Sequence, residues 1–89
     1  MEKITAQIFI GGREDAGEAE RLLSTGITAV LTLIHGDPPA PYPDAIEVAD
    51  HPLVDGPQND FKNFRRAVDS LVDLLSRGET VLVHCSAGS

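Results

Sequence analysis

The stretch VLVHCSAGS, residues 81–89, joins a short apolar run to the only cysteine of the chain and ends in small residues. The branched apolar residues before His84 indicate a buried strand. The small residues after Cys85 allow successive backbone N–H groups to turn toward one point, which creates a concave site for an oxyanion. The stretch therefore predicts a strand that leads into an anion-binding loop.

Three more strands are expected earlier in the chain. Loose alternation of apolar residues predicts one over 4–10, which Gly11 and Gly12 end. The run ITAVLTLI at 27–34 is apolar almost throughout and rich in β-branched residues, as in a strand covered on both faces. A short alternating segment at 46–48 predicts a further strand.

Two helices separate these strands. The first is predicted over 14–24, with Gly26 at its carboxyl end, where a left-handed residue is common. The second begins after Asn59, a good N-cap, and closes at Arg77 and Gly78. Its apolar residues form a stripe of the kind that helices turn toward a core. The members of this stripe are Phe61, Phe64, Val68, Leu71, Val72 and Leu75.

The order of elements indicates an α/β fold with a mostly parallel central sheet and flanking helices. The proline-rich segment 36–44 is expected to be a loop, and the stretch HPLVDGPQND at 51–60 is expected to be irregular. We expect residues 1–89 to form a single domain. An α/β sheet also needs a helix after its last strand, and the sequence shows none, so the domain is expected to be incomplete.

Composition excludes several classes of function. The chain has 89 residues and a formal net charge of −7, which disfavours nucleic acids and anionic membranes as partners. A single cysteine excludes an internal disulfide framework and fits a reducing compartment. The amino-terminal residues lack the apolar region of a secretory signal. We therefore expect a soluble, cytoplasmic protein.

Cys85 is the first candidate for chemistry. A lone cysteine at the end of a strand is by default a small buried apolar residue. Its neighbours favour a second interpretation, because ligands of open α/β sheets bind at the carboxyl ends of the strands. A concave set of N–H donors also stabilises a thiolate, which is the nucleophilic form of the thiol.

At this point the sequence resembles a known family. His84-Cys85-Ser86-Ala87-Gly88 resembles the start of the signature loop of the cysteine-based protein phosphatases, H-C-x-x-G-x-x-R, and H-C-S-A-G after V-L-V is similar to their dual-specificity branch. Three further blocks resemble that branch in the same order: IFIGGREDA (8–16), GITAVLTL (26–33) and HPLVD (51–55). The resemblance implies a protein-tyrosine-phosphatase-like fold and a phosphomonoester hydrolase that acts on tyrosine and serine/threonine phosphate.

The resemblance also assigns roles to residues. Cys85 is implied to attack phosphorus as a thiolate and to form a cysteinyl-phosphate intermediate, while His84 orients the loop and supports the thiolate. The phosphate oxygens are implied to bind the backbone N–H groups of Ser86, Ala87, Gly88 and Ser89. No metal or other cofactor is implied. The partners are then a phosphorylated protein or a small phosphomonoester.

The leaving group needs a proton from a carboxylic acid on a nearby loop. Asp55 matches the general acid of the family, although an aspartate in such a Pro/Gly-punctuated segment can also serve only to form a turn. Asp60 is an alternative acid, and its place in the first turn of a helix favours an interaction with the helix dipole instead. Asp50 is a third candidate.

One part of the family pattern does not fall within the chain. The arginine of H-C-x-x-G-x-x-R would lie two positions beyond Ser89. We therefore expect the 89-residue chain to be inactive or nearly so. A non-catalytic pseudophosphatase that binds phosphorylated partners remains the alternative.

Other site types fit the sequence less well. A rhodanese-like sulfur carrier is disfavoured by the H-C-S-A-G block and the acid loop. His35, His51, His84 and Cys85 lack the short spacings of zinc ligands, so a metal site is not expected. The oligomeric state stays open at this stage.

Overall fold

The computed structural model describes residues 1–11, 19–33, 42–51 and 61–84, without the side chain of Asn63. These residues form five strands and two helices. In chain order they are β1 (Glu2–Lys3), β2 (Ile8–Gly11), α1 (Ala19–Thr25), β3 (Ala29–Thr32), β4 (Glu47–Asp50), α2 (Phe61–Ser76) and β5 (Val81–His84).

The strands form one sheet in the order β1-β2-β5-β3-β4. The pairs β2–β5, β5–β3 and β3–β4 are parallel, and only β1 runs antiparallel to its neighbour. The last strand in the sequence therefore lies in the middle of the sheet. This arrangement confirms the predicted α/β fold with a mostly parallel sheet.

The two helices pack on opposite faces of the sheet. On one face, Leu22 of α1 packs with Val30 of β3 and Leu82 of β5. On the other face, Leu74 of α2 packs with the residues of β3 and β5 that alternate with Val30 and Leu82 along these strands. All four residues of β3 are buried, as expected for a strand that is covered on both sides.

Both helices end at glycines in the left-handed region, Gly26 with φ 95° and Gly78 with φ 81°. After α1, the Gly26 N–H donates to the Leu23 carbonyl and the Ile27 N–H donates to the Leu22 carbonyl. The same pair of bonds follows α2. This pattern is a Schellman motif, which satisfies the last carbonyl groups of each helix. The predicted glycine ends of both helices are therefore confirmed.

The strand predicted over 4–10 is present only over its last three residues, because the chain turns back on itself before Ile8. The Ile4 N–H donates to the Ile8 carbonyl over 2.8 Å, which closes a tight turn between β1 and β2. The Thr5 hydroxyl accepts hydrogen bonds from the N–H groups of Gln7 and Ile8, each over 3.1 Å. A threonine side chain that binds the backbone in this way competes with an extended strand.

The predicted stripe of the second helix is only partly turned toward the core. The buried residues of α2 are Ala67 and Leu74. Leu71 and Leu75 are half-buried at the edge of that contact. The other members of the predicted stripe are exposed, namely Phe61, Phe64, Val68 and Val72. The small side chain of Ala67 allows α2 to approach the sheet, so the helix contacts the core through a face next to the stripe.

Several predictions fall on residues that the structure does not describe. They concern the start of the first helix at 14–18, most of the loop at 36–44 and the cap of the second helix at 59–60. Within the described ranges, neither helix has the length and apolar character needed to cross a membrane.

Candidate active site

The carboxyl ends of the four parallel strands form one row of residues. Gly11 at the end of β2 pairs with His84 at the end of β5, and His84 pairs in turn with Thr32 of β3. Thr32 then pairs with Asp50, the last residue of β4. The last residues of the four strands are paired with one another, so the strands end side by side at this edge of the sheet. The polypeptide leaves all four strands at the same level.

Hydrogen bonds join the three ends of β5, β3 and β4. The Leu33 N–H donates to the His84 carbonyl over 2.8 Å, and the His51 N–H donates to the Thr32 carbonyl over 2.9 Å. The Thr32 hydroxyl donates to Oδ1 of Asp50 over 2.6 Å. The ends of β5 and β4 are therefore both hydrogen-bonded to the end of β3 at this edge of the sheet.

His84 lies at the centre of this edge and is completely buried. It ends the strand that two parallel neighbours enclose, and Cys85 is the next residue in the sequence. The structure thus places the residue before the cysteine at a rigid point of the sheet. A buried histidine at this position agrees with the sequence-based expectation.

The remaining predicted site residues lie outside the described part of the chain. They are Cys85, Asp55, Asp60, Ser86, Ala87, Gly88 and Ser89. Asp55 follows His51 by four residues, and Cys85 follows His84 directly. Since only β3 separates β4 from β5, the two segments begin about 10 Å apart, or two strand spacings.

Of the three candidate acids, only Asp50 is described. It is exposed, and its carboxylate accepts the hydrogen bond from Thr32. In this structure Asp50 therefore ties together two strand ends at the same edge as His84.

The sequence-based reasoning missed Thr32. This residue is only 5% exposed, although it carries a hydroxyl group. The signal was present as a single polar residue at the carboxyl end of an otherwise apolar strand. It was overlooked because threonine is also a common strand residue for reasons of shape alone.

Metal ligands do not cluster in the described residues. Among them, no group of three or more His, Cys, Asp or Glu side chains could hold a metal ion.

The central strand of this parallel sheet ends at His84, which Cys85 follows in the sequence, and β4, with β3 between it and β5, precedes Asp55 in the sequence. Dual specificity protein phosphatase 22 from Homo sapiens is 34% identical to this chain over 89 residues, which cover 99% of this chain and 47% of that protein. Dual specificity protein phosphatase 12 from Homo sapiens is 30% identical over 92 residues, with 99% of this chain and 27% of that protein covered. The relatives that align with nearly the whole of this chain are therefore dual specificity protein phosphatases.

The fold of the chain agrees with this similarity. The crystal structure of human DUSP28 superposes with a TM-score of 0.80 at 20% sequence identity, over 96% of this chain and 59% of that chain. No protein-family model matches the sequence. The chain spans about half the length of dual specificity protein phosphatase 22 and a smaller share of dual specificity protein phosphatase 12.

Proposed function

We propose that this chain carries the nucleophile, the phosphate loop and the acid of a protein phosphatase that hydrolyses phosphomonoesters of tyrosine, serine and threonine. The observation that supports it most is the position of His84. This buried residue is held at the carboxyl edge of the sheet and is followed at once by the single cysteine. The relatives that align with nearly the whole chain are themselves named dual specificity protein phosphatases.

The proposed reaction has two steps. The Cys85 thiolate attacks phosphorus, so that an S–P bond forms while the P–O bond to the leaving group breaks. Asp55, in its protonated form, gives its proton to the leaving oxygen. In the second step Asp55 takes a proton from the attacking water as the S–P bond breaks. Phosphate and the thiolate are released, and Asp55 is protonated again.

The fold supports this reaction by fixing where the two segments begin. The backbone N–H groups of Ser86, Ala87, Gly88 and Ser89 are proposed to bind the oxygens of the phosphoryl group. Donors of this kind stabilise both the thiolate and the charge of the transition state, so the proposal needs no metal. The hydrogen bonds of Thr32 and Leu33 hold the strand ends from which both segments depart.

We further propose that a polypeptide that stops at Ser89 turns over little or no substrate. The planar guanidinium of the family's arginine binds two phosphate oxygens at once, and such bidentate pairs are strong. In a polypeptide that stops at Ser89, this guanidinium is absent and a terminal carboxylate would lie near the binding site of the doubly charged phosphate. A non-catalytic phosphate-binding role is the alternative, and the names of the relatives favour the enzyme.

Turnover of p-nitrophenyl phosphate tests the proposal. The substrate is given to the 89-residue chain and to a longer polypeptide in which an arginine follows Cys85 by six positions. We expect turnover only in the longer polypeptide, and none in its Cys85→Ser variant. Turnover that survives Cys85→Ser would remove the thiol from the mechanism. Cysteine-dependent turnover by the 89-residue chain would contradict the proposed need for the arginine.

A further inference from the structure

The exposed side of α2 carries an apolar surface that the proposed phosphatase function does not use. We call Phe61, Phe64, Val68 and Val72 the α2 stripe, and their exposed fractions are 75%, 54%, 41% and 57%. They recur with helical spacing, so they form one continuous line along the helix. A continuous exposed apolar surface of this kind marks an interaction site more often than scattered single residues do.

Two charged residues lie beside the α2 stripe. Successive residues of an α-helix are rotated by about 100°. Arg65 and Asp69 therefore lie along the flank of the stripe that faces away from the buried Ala67. Both are exposed, and within the described part of the chain neither makes an ion pair. Opposite charges four residues apart on one flank can pair with the same flank of an identical helix.

The spacing of these residues is self-complementary. In an antiparallel pair of α2 helices related by a twofold axis at the level of Ala67, Arg65 of each copy lies opposite Asp69 of the other. The same axis places Phe64 of each copy at a level between Val68 and Val72 of the other copy, so that these side chains can interdigitate. It also places Phe61 near Val72, so both ends of the α2 stripe are covered. A twofold axis makes every contact twice, as in most homodimers.

From this pattern we propose that the α2 stripe is the interface of an antiparallel homodimer of the 89-residue chain. Removal of the apolar side chains from water supplies the free energy. The two Arg65–Asp69 pairs set the orientation and register, which is the usual role of charges at an interface. The α2 stripe is smaller than the roughly 800 Å² per partner of a standard stable interface. The net charge of −7 on each copy also opposes association, so the dimer is weak and depends on concentration.

Sedimentation velocity over a range of protein concentrations tests the proposal. We expect a monomer at low concentration and a dimer at high concentration for the 89-residue chain. Phe64→Ser removes an exposed apolar side chain and should abolish the dimer. Circular dichroism of the same variant shows whether the helix is retained. A wild-type chain that stays monomeric at every concentration would overturn the proposal and leave the stripe to another occupant, such as further polypeptide of the relatives' length.

Charge reversal tests the orientation of the pair. Arg65→Asp places two aspartates opposite each other, and we expect the dissociation constant to rise at least about tenfold, because like charges across an interface are costly. The double variant Arg65→Asp with Asp69→Arg should restore the wild-type constant. Arg66→Asp is the matched control, since it makes the same charge change on a position turned by about 100° from Arg65. An equal effect of Arg66→Asp, no recovery in the double variant, or larger open-ended oligomers would contradict the proposed interface.

Discussion

The two ends of the parallel sheet are built in different ways. At the amino end, side chains bind strands and helix ends together, with Gln7, Thr28 and Arg77 each making hydrogen bonds across distant parts of the sequence. Both glycine-ended helices deliver the chain to this end. At the carboxyl end, the described bonds run through Thr32 and lead to the segments that contain Asp55 and Cys85. The described side-chain bonds between distant segments are thus mostly at the amino end, whereas the proposed chemistry lies at the carboxyl end.

At the amino end of the sheet, Gln7 connects several elements. Nε2 of Gln7 donates to the carbonyl of Leu75 over 3.3 Å and to the carbonyl of Glu79 over 3.1 Å. The backbone carbonyl of Gln7 also accepts a hydrogen bond from the Val81 N–H over 2.7 Å. A residue in the β1–β2 turn thus anchors both the end of α2 and the start of β5.

The largest expected effect on stability comes from Gln7→Glu. The new carboxylate would face two carbonyl oxygens where the amide now donates, and we expect the free energy of unfolding to fall by about 2 kcal/mol. Urea denaturation followed by circular dichroism measures the change. Gln7→Ala, which removes the donor without adding a charge, should cost less. Equal stability of wild type and Gln7→Glu would show that the amide does not hold the amino end.

Thr32→Val tests the hydrogen bond to Asp50 at the carboxyl end of the sheet. The substitution keeps the shape of the side chain and removes the hydroxyl that binds Asp50, so we expect a loss of about 1 kcal/mol in stability. In a longer polypeptide with the family's arginine, phosphatase turnover should fall by about tenfold, because small displacements of catalytic groups are costly. Gln7→Ala serves as the control, since it should lower stability without lowering turnover of the folded protein. If both variants lower turnover equally, the proposed division between the two ends is wrong.

An effect on stability alone is expected at the glycine that ends α2. Gly78 has a φ of 81°, and no atom lies within 4 Å of the position that a Cβ would take. Gly78→Ala should therefore lower the free energy of unfolding only by the cost of holding alanine in the left-handed conformation, about 1 kcal/mol. Asparagine tolerates this conformation better, so Gly78→Asn should be less destabilising than Gly78→Ala. Thermal unfolding of the three proteins would contradict this explanation if alanine and asparagine were equivalent.

The smallest effect is expected from the exposed ion pair at the start of β4. Arg77 donates to both carboxylate oxygens of Glu47, over 3.1 Å and 2.6 Å, and these hydrogen bonds lower the pKa of Glu47. A carboxyl group with a lowered pKa in the folded state contributes stability above its ordinary pKa of about 4.5. This contribution is lost as the pH falls through the lowered value.

Unfolding measured between neutral and acid pH tests this contribution. Glu47→Gln should flatten the acid dependence slightly, and high salt should have the same effect on the wild type. An unchanged acid dependence would show that the pair contributes nothing to stability.

Much of the fold could be predicted because its signals are local. The uninterrupted apolar run of β3 indicated a strand buried on both faces, and the two glycines marked the ends of the helices. The turn at Thr5 was missed because its hydroxyl competes with the backbone for hydrogen bonds, which alternation of apolar residues does not reveal. The exposure of Phe61 and Phe64 was missed because an apolar stripe shows which residues share a face, but not which face meets the sheet.

The candidate site could be predicted less completely. His84 and its position beside Cys85 followed from the motif, and the structure shows the burial of His84. The hydrogen bond from Thr32 to Asp50 depends on the register of β3 against β4. Strands this short allow several registers by sequence pattern, and only the folded sheet selects one. Residues that act across strands are therefore hard to find from sequence alone.

A trapped intermediate tests the central claim most directly. The longer polypeptide with the arginine, carrying Asp55→Asn, is mixed with p-nitrophenyl phosphate, quenched in acid and digested for mass spectrometry. The p-nitrophenolate leaving group of this substrate needs little protonation, so the attack of Cys85 on phosphorus should proceed. Hydrolysis of the cysteinyl phosphate should be slow, because Asp55→Asn removes the base. We predict that one phosphoryl group accumulates on the peptide that contains Cys85, and that Cys85→Ser shows none. Turnover with no phosphoryl group on Cys85, or with the group on another residue, would contradict the account.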